Sequence, residues 1–414
     1  MTARRALIIG GSVGGLFAAN LLRQGGWDVA VYERSAEDLA GRGSGIGTRD
    51  TLFQVMRRIG IAPDPTAGVS VKSRISLERD GRVSHEFVVA ATNSAWDRIY
   101  RPLREVFPRE NFHAGMTLAA IEPARDGVTA IFADGTRVAG DLLIGADGIH
   151  STVREIILPE VKPRYAGYVA WRGILEESDL PPEIHRALFE HFSFGLPEGE
   201  LIIALPMPGR DADTRRGHRR YHWVWFRPVD FERGLPALCT DASGKCHGTA
   251  IPPPLIRPEV LDEVKAHAEA VLAPQLALVV ARTRVLMLQA IFDHASPRLA
   301  VGRSVLLGDA AFAARPHVGA GVTKAALDAA ALADAVAELE IDAALARYDR
   351  ERCAAGSTLV ARGRQLGAHL EAQHKPRAER RGAELRHDPA AVLRDYGAAV
   401  ITPAEMGETI GSSQ

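Results

Sequence analysis

Cysteine is scarce: the 414 residues hold 3, at Cys239, Cys246 and Cys353. An odd count without zinc-type spacing argues against a disulfide framework and a structural metal, and it suits a reducing compartment. An excess of one charge is missing too. The chain has 50 basic and 51 acidic residues, a formal net charge of −1. No basic field is left to hold nucleic acid, and no polybasic run marks a membrane surface. Long apolar runs are absent as well. None reaches the ~18 residues of a membrane span. The apolar stretch near the N-terminus is too short, and too interrupted by glycine, for a signal-peptide core. The expectation is a cytoplasmic protein. The rest is ordinary, 46% hydrophobic and 24% charged. That is enough apolar material for two domains or one large, interrupted one.

Three stretches, far apart in the chain, carry the chemistry. In the first, the apolar run Ala6-Leu7-Ile8-Ile9 precedes Gly10-Gly11-Ser12-Val13-Gly14-Gly15 and a helical pattern from Leu16. A buried strand, a glycine turn and a helix with free N–H groups suit a pyrophosphate. Ser12 stands at the middle glycine of the usual G-x-G-x-x-G pattern; its hydroxyl could reach a phosphate. A second strand, Asp28 to Tyr32, ends at Glu33, where an acid about 20 residues past the glycines takes a ribose hydroxyl. In the second stretch, the strand from Asp141 to Ile144 leads into Gly145-Ala146-Asp147-Gly148 and a helix start near Arg154. A turn that merely caps a helix would look the same. The third stretch is the most specific. A strand, Ser304 to Leu307, gives way to Gly308-Asp309, then Pro316, Gly319-Ala320-Gly321 and a long helix. Asp309 can accept a hydrogen bond from a polyol. The positive helix end suits the edge of a ring that gains negative charge on reduction, which points to a flavin.

Between these stretches the pattern changes. The glycine-dense loop Gly41 to Gly47 reads as a connector or as backbone pressed on a flat ligand. Helices are expected from Thr51 to Ile59 and from Arg101 to Phe107, and a hairpin from Val71 to Val89 with its turn at Asp80-Gly81. From Tyr165 to about Phe292 strands dominate: Tyr168 to Ile174, Leu188 to Phe194, Glu200 to Pro206 and Tyr221 to Pro228. A Gly/Pro/Ser-rich loop, Gly234 to Pro258, and a helix to about Leu272 follow. Helices are expected again over Ala325 to Leu339 and Leu345 to Leu370, before a polar tail, loose in part. The resulting division assigns 1–70, 98–164 and 293–342 to a discontinuous cofactor domain and 71–97 with 165–292 to a substrate domain. A helical segment and tail, 343–414, complete the chain.

Together the three turns resemble the single-component (class A) FAD-dependent aromatic hydroxylases, the group typified by p-hydroxybenzoate hydroxylase. The likeness runs to about Leu370. Within the group, Tyr165-Ala166-Gly167-Tyr168-Val169-Ala170-Trp171-Arg172-Gly173, Gly10-Gly11-Ser12 and Arg315-Pro316-His317 are similar to the dihydroxypyridine-hydroxylating members. The resemblance implies an α/β fold. It would have a Rossmann-like FAD-binding domain of the p-hydroxybenzoate hydroxylase type, a sheet-based substrate domain and C-terminal helices. It implies tightly bound FAD, NADH or NADPH as co-substrate, O2, and a small aromatic substrate such as 2,6-dihydroxypyridine, hydroxylated through a flavin C4a-hydroperoxide. A homodimer is the family-level expectation; nucleic acid, membrane and metal are not. By position, Gly10, Ser12, Val13 and Gly15 would hold the pyrophosphate, with Asp147 beside it. Glu33 would bind the adenosine ribose and Arg101 would lie near the phosphates. Asp309 would take the ribityl hydroxyls. Gly45, Gly319, Ala320 and Gly321 would line the flavin ring, and Arg34 and Leu118 would also touch the cofactor.

The chemistry needs water kept out and a phenol proton removed. His317, beside Pro316, is the leading candidate for that help. His222, on the strand Tyr221 to Phe226, is the second, and His191 lies on another strand. Phe192, Phe194, Trp223 and Trp225 could wall a flat substrate or simply fill a sheet core. Tyr168, Arg172, Phe192, Trp223 and Pro316 are the candidate substrate contacts. Other readings stay open: a hydroxylase of a larger phenolic or polyketide-like substrate, a related flavin reductase that inserts no oxygen, and a non-catalytic dinucleotide-binding module.

Overall fold

The computed structural model describes residues 3–40, 45–47, 49–62, 68–384 and 387–397. Four of the loop residues read above as a connector, 41–44, lie outside them.

The three turns meet because their strands are neighbours. Arg5–Ile9 pairs in parallel with Asp28–Glu33 on one side and with Leu142–Gly145 on the other. Leu142–Gly145 pairs in parallel with Ser304–Leu306. Phe112–Ala114 and the short antiparallel Ala300–Val301 complete the sheet at its two edges. Past the exposed Arg5 and the buried Ser304 that open two of them, the central strands are buried apolar runs, as a parallel sheet covered on both sides requires. Gly10, Asp147 and Gly308 each follow the end of one of these strands. Parallel neighbours end at the same edge, so sequence separation vanishes there. The helices Val13–Gln24 and Gly321–Glu338 pack on each other beside the sheet.

A larger antiparallel-rich sheet stands next to the first. Its order is Phe312–Ala313, Leu286–Ala295, Arg164–Glu176, Arg220–Pro228, Leu201–Met207, His191–Gly195, Val69–Leu77, Val83–Ala95 and Gly45–Gly47. Pairing thus draws Gly45–Gly47 and Phe312–Ala313 into this sheet from the two ends of the cofactor half. Helices Pro258–Val271 and Pro274–Arg282 belong to the core on one face of it. Leu118–Pro123, Val128–Phe132 and Arg137–Gly140 form a third, small sheet. Ile341–Leu366 lies along Gly321–Glu338. No described helix is long and apolar enough to cross a membrane.

Several elements differ from their sequence patterns. The stretch expected as a strand from Leu188 starts as a helix, Pro182–Leu188, and becomes a strand only at His191–Gly195. A proline at the first helical positions fixes that start. Leu286–Ala295 is a strand with no forecast. The tail is not loose throughout: Pro389–Asp395 is a helix, and Arg74 donates 2.7 Å to the carbonyl of Leu393.

Candidate active site

The first turn is shaped by contact. A Cβ on Gly10, whose φ is +108°, would lie 2.4 Å from the carbonyl oxygen of Ala146. A Cβ on Gly15 would lie 1.9 Å from the carbonyl oxygen of Gly10. The helix Val13–Gln24 begins with no side chain capping its N-terminus, so its first N–H groups stay available. Glu33 is held rigidly: its two carboxylate oxygens accept from the backbone N–H of Gly11 and of Ser35, each at 2.8 Å.

The second turn is held by its own carboxylate. Asp147 accepts from the Ser151 hydroxyl and, at 3.1 Å, from the Val153 N–H, while Ser151 caps Thr152–Ile157 by accepting from the Arg154 N–H at 2.9 Å. Burial pushes the Asp147 pKa up, and those hydrogen bonds pull it back. The fully buried Arg154 then ties the second turn to the third. Its guanidinium donates 2.7 Å to the Ile149 carbonyl and 3.2 Å to the Ala310 carbonyl, and it lies 3.0 Å from Nε2 of His294.

The third turn rests on a buried ion cluster. The Lys324 ammonium donates 2.6 Å to the Gly308 carbonyl, and the Gly308 N–H donates 3.1 Å to Asp328. Asp328 also pairs with Arg352 at 2.7 Å, and Tyr348 donates 2.8 Å to the Leu306 carbonyl. Asp309 makes none of these bonds and opens its carboxylate to the cavity. The dense protein around it pushes its pKa up, with Lys324 pulling the other way. Gly321–Glu338 again starts without a side-chain cap, its first turn in the cavity wall.

One cavity of about 870 Å³ joins the three turns to the larger sheet. Gly10, Ser12, Val13, Glu33, Arg34, Gly45, Leu118, Asp147, Asp309, Gly319, Ala320 and Gly321 line it. At the sheet end its wall includes Arg172, His222, Phe192, Val224, Phe226 and Pro316.

Strand alternation decides which sheet residues take part. On Arg220–Pro228, His222, Val224 and Phe226 face the cavity, while Tyr221, Trp223 and Trp225 point into the opposite core. Trp223 is therefore not a substrate contact: it is fully buried, its indole N–H donating 2.8 Å to Thr283. Phe194 lies behind Phe192, stacked on it at 4.6 Å. His191 hydrogen-bonds Ser73 and does not line the cavity. Tyr168 and His317 sit one layer behind the wall, both 0% exposed, joined at 2.6 Å. Burial, with Arg315 nearby, pulls the His317 pKa down to about 3, so the ring is neutral. Gly15 is a packing glycine inside the turn rather than a cavity residue. Arg101 points to solvent, because Leu103 takes the buried side of Asp97–Val106.

Residues given no role from sequence also line the cavity. Tyr396 and Gly397 reach it from the tail, and Arg315, paired with Asp293 and Glu371 at 2.7 Å each, from beside Pro316. Thr249 and Ala250 come from the Gly/Pro/Ser-rich loop. A buried arginine within a named motif was a signal for Arg315; nothing local marked Tyr396.

Residues 4–225 match the family described as FAD binding domain, and residues 165–293 one described as FAD binding domain-like. The chain is 32% identical to 2,6-dihydroxypyridine 3-monooxygenase of Paenarthrobacter nicotinovorans, over 80% of this chain and 83% of that protein. This chain belongs to the FAD-dependent monooxygenase family. The solved 2,6-dihydroxypyridine-3-hydroxylase from Arthrobacter nicotinovorans matches this monooxygenase with a TM-score of 0.83 at 30% identity, covering 89% of this chain and 93% of that one. HpxO of Klebsiella pneumoniae, solved with FAD and uric acid, matches at 0.72 and 25% identity, covering 94% and 97%. The fold is that of the p-hydroxybenzoate hydroxylase type.

The residues of this monooxygenase fit FAD. Two uncapped helix starts border one cavity, and the Gly10–Ala146 approach leaves no room for a side chain. The Asp309 carboxylate is spare for hydroxyls.

Proposed function

We propose that this monooxygenase hydroxylates a small, electron-rich aromatic ring, a hydroxylated pyridine such as 2,6-dihydroxypyridine, with NADH or NADPH and O2. One observation carries the reading. A single cavity runs from the phosphate-type turns to a compartment walled by Phe192, Val224, Phe226, Pro316, Arg172 and His222. Apolar faces there suit a flat ring, and a cation suits an ionised hydroxyl. The likeness to a dihydroxypyridine monooxygenase over most of both chains supports the same substrate class.

Gly10, Ser12 and Val13 would hold the pyrophosphate of FAD, Glu33 the ribose, Asp309 the ribityl hydroxyls, and Gly319 to Gly321 the ring edge. When bound, FAD supplies electrons taken from the nicotinamide and delivers one oxygen atom of O2 to the ring. The protein's own work lies around that step. Phe192, Val224 and Phe226 keep water from the reacting centre. Arg172 orients the substrate and stabilises negative charge on it. The Tyr396 hydroxyl, held by His317 at 2.9 Å with Tyr168 behind it at 2.6 Å, is fixed in place to hydrogen-bond an oxygen of the ring.

A second reading follows from Thr249 and Ala250 in the cavity wall: their loop would let the compartment take a larger phenol. Purified protein, NADH, ¹⁸O2 and a panel of hydroxypyridines and phenols separate the readings. Labelled oxygen in a hydroxypyridine product supports the first and labelled oxygen only in larger phenols the second. NADH consumption without oxygen insertion on any ring contradicts both.

A further inference from the structure

We propose that Arg74 is a positioning residue for the reaction: its guanidinium latches the C-terminal segment 389–397 onto the larger sheet, and that segment is the wall that carries Tyr396 into the compartment. This rests on the reading that the compartment receives an aromatic ring, and adds what keeps one side of it in place.

The segment has little of its own to hold it. Its helix, Pro389–Asp395, has 7 residues, and Asp388 caps it by accepting 2.9 Å from the Ala391 N–H. A helix this short does not persist in water unless it is docked. The docking is apolar first. Val392, Leu393 and Tyr396 are buried in one core with Phe194, Val224 and Phe226 of the larger sheet. Val224 and Phe226 also line the cavity, as do Tyr396 and Gly397. The segment thus covers the cavity-facing side of the sheet, and its last residues are part of the cavity's wall.

Arg74 supplies a polar tie. It is 2% exposed and stands on Val69–Leu77 beside Phe192 of the parallel neighbour, which lines the cavity. Its guanidinium lies 5.9 Å from the centre of the Phe192 ring. From there it donates 2.7 Å to the Leu393 carbonyl in the last turn of the tail helix, where a cation also meets the negative end of the helix dipole. Nε is buried without a partner. Burial alone moves its pKa, down to about 10, so it stays a cation at neutral pH with no described carboxylate pulling the other way. A charge this deep is costly unless its bonds are made, and the tail accepts one of them.

Tyr396 sits between two anchors. On its N-terminal side Arg74 holds Leu393. On its C-terminal side the Gly397 N–H donates 2.9 Å to the His317 carbonyl, and the Tyr396 hydroxyl itself lies 2.9 Å from the His317 ring. The remaining tie is long: Arg362 reaches the Asp395 carbonyl at 3.4 Å. With Arg74 gone the helix lifts, Tyr396 leaves the wall, and water enters the compartment. NADH and a proton then reduce O2 to hydrogen peroxide, and no oxygen atom reaches the ring.

The test uses FAD-loaded, full-length protein and 2,6-dihydroxypyridine. Trypsin cleavage after the exposed Arg394, followed by mass spectrometry, reports how often the tail helix opens. Product and hydrogen peroxide formed per NADH report coupling. Arg74→Met is expected to be cut after Arg394 about 10-fold faster or more, with coupling down by up to about 10-fold, while FAD content and the other tryptic cuts stay near wild type. Arg74→Lys, which keeps the charge and a donor, falls between the two and gives the answer should the methionine variant not fold. Tyr396→Ala tests the route. With that residue gone, adding Arg74→Met should lower coupling little further. Unchanged cleavage after Arg394, equal acceleration at every cut site, faster cleavage with full coupling, or a double variant whose loss is the product of the two single losses overturns the proposal. A wild type that hydroxylates no ring instead contradicts the function proposed above, and cleavage after Arg394 still reads the latch.

Discussion

Tyr168 and His317, 149 positions apart, share a hydrogen bond of 2.6 Å in a place closed to solvent. The other ring nitrogen of His317 lies 2.9 Å from the hydroxyl of Tyr396, which does line the cavity. Gly367 makes the room: a Cβ there would lie 2.4 Å from the Tyr168 oxygen and 2.9 Å from the His317 ring. His317 thus reaches the cavity only through a tyrosine. Its expected effect is on the placing of the Tyr396 hydroxyl, not on contact with the ring.

His317→Ala should keep FAD and NADH oxidation while the fraction of NADH coupled to hydroxylation falls up to about 10-fold, the value of the one hydrogen bond that holds the Tyr396 hydroxyl. Comparing NADH consumed with product formed checks this. Unchanged coupling removes His317 from the mechanism.

Asp309→Ala should weaken FAD binding about 10-fold or more, the value of a hydrogen bond made by a charged group. Thermal unfolding of the apoprotein should barely change, because the Lys324–Asp328–Arg352 cluster, not Asp309, holds the turn. Equilibrium dialysis against FAD measures the first effect. Undiminished affinity contradicts the role.

Gly15→Ala should damage the first turn severely. Its Cβ would meet the Gly10 carbonyl oxygen at 1.9 Å, and forced backbone shifts cost about 1–3 kcal/mol or more. Both Tm and FAD uptake should fall, by calorimetry and visible absorbance. A variant that folds and turns yellow like wild type refutes the packing argument.

Acid should destabilise the fold. His222, His317 and His369 have pKa values lowered to about 3 and His294 to about 4, each by burial first. Unfolded histidine titrates near ~6.5. Below that pH the unfolded chain takes up protons that the folded one refuses, so stability is lost as pH falls from about 6.5 towards 4. Asp147 and Asp309, raised by burial, work in the opposite sense. Four histidines against two carboxylates leave a net loss. The urea midpoint should be lower at pH 5 than at pH 7.5; a flat or rising midpoint contradicts this.

The sequence made the three turns legible because each is local: apolar strand, glycine or Gly-Asp turn, helix start. Their convergence followed from parallel strands ending at one edge. Facing was harder. In Tyr221 to Phe226 five of the six residues are aromatic or histidine, so composition could not say which set meets the cavity; only pairing against Arg164–Glu176 puts His222 inside and Trp223 outside. Arg101 failed for a related reason, since one helix position decides between solvent and cavity. Tyr396 was hidden because its place depends on contacts with His317, 79 residues away.

The most direct measurement follows flavin and labelled oxygen together. Gently purified protein should be yellow, or become so with added FAD, and with NADH and ¹⁸O2 should place one labelled atom on a hydroxypyridine ring. Colourless protein that refuses FAD, or a yellow one that oxidises NADH without ever labelling a ring, would contradict the account.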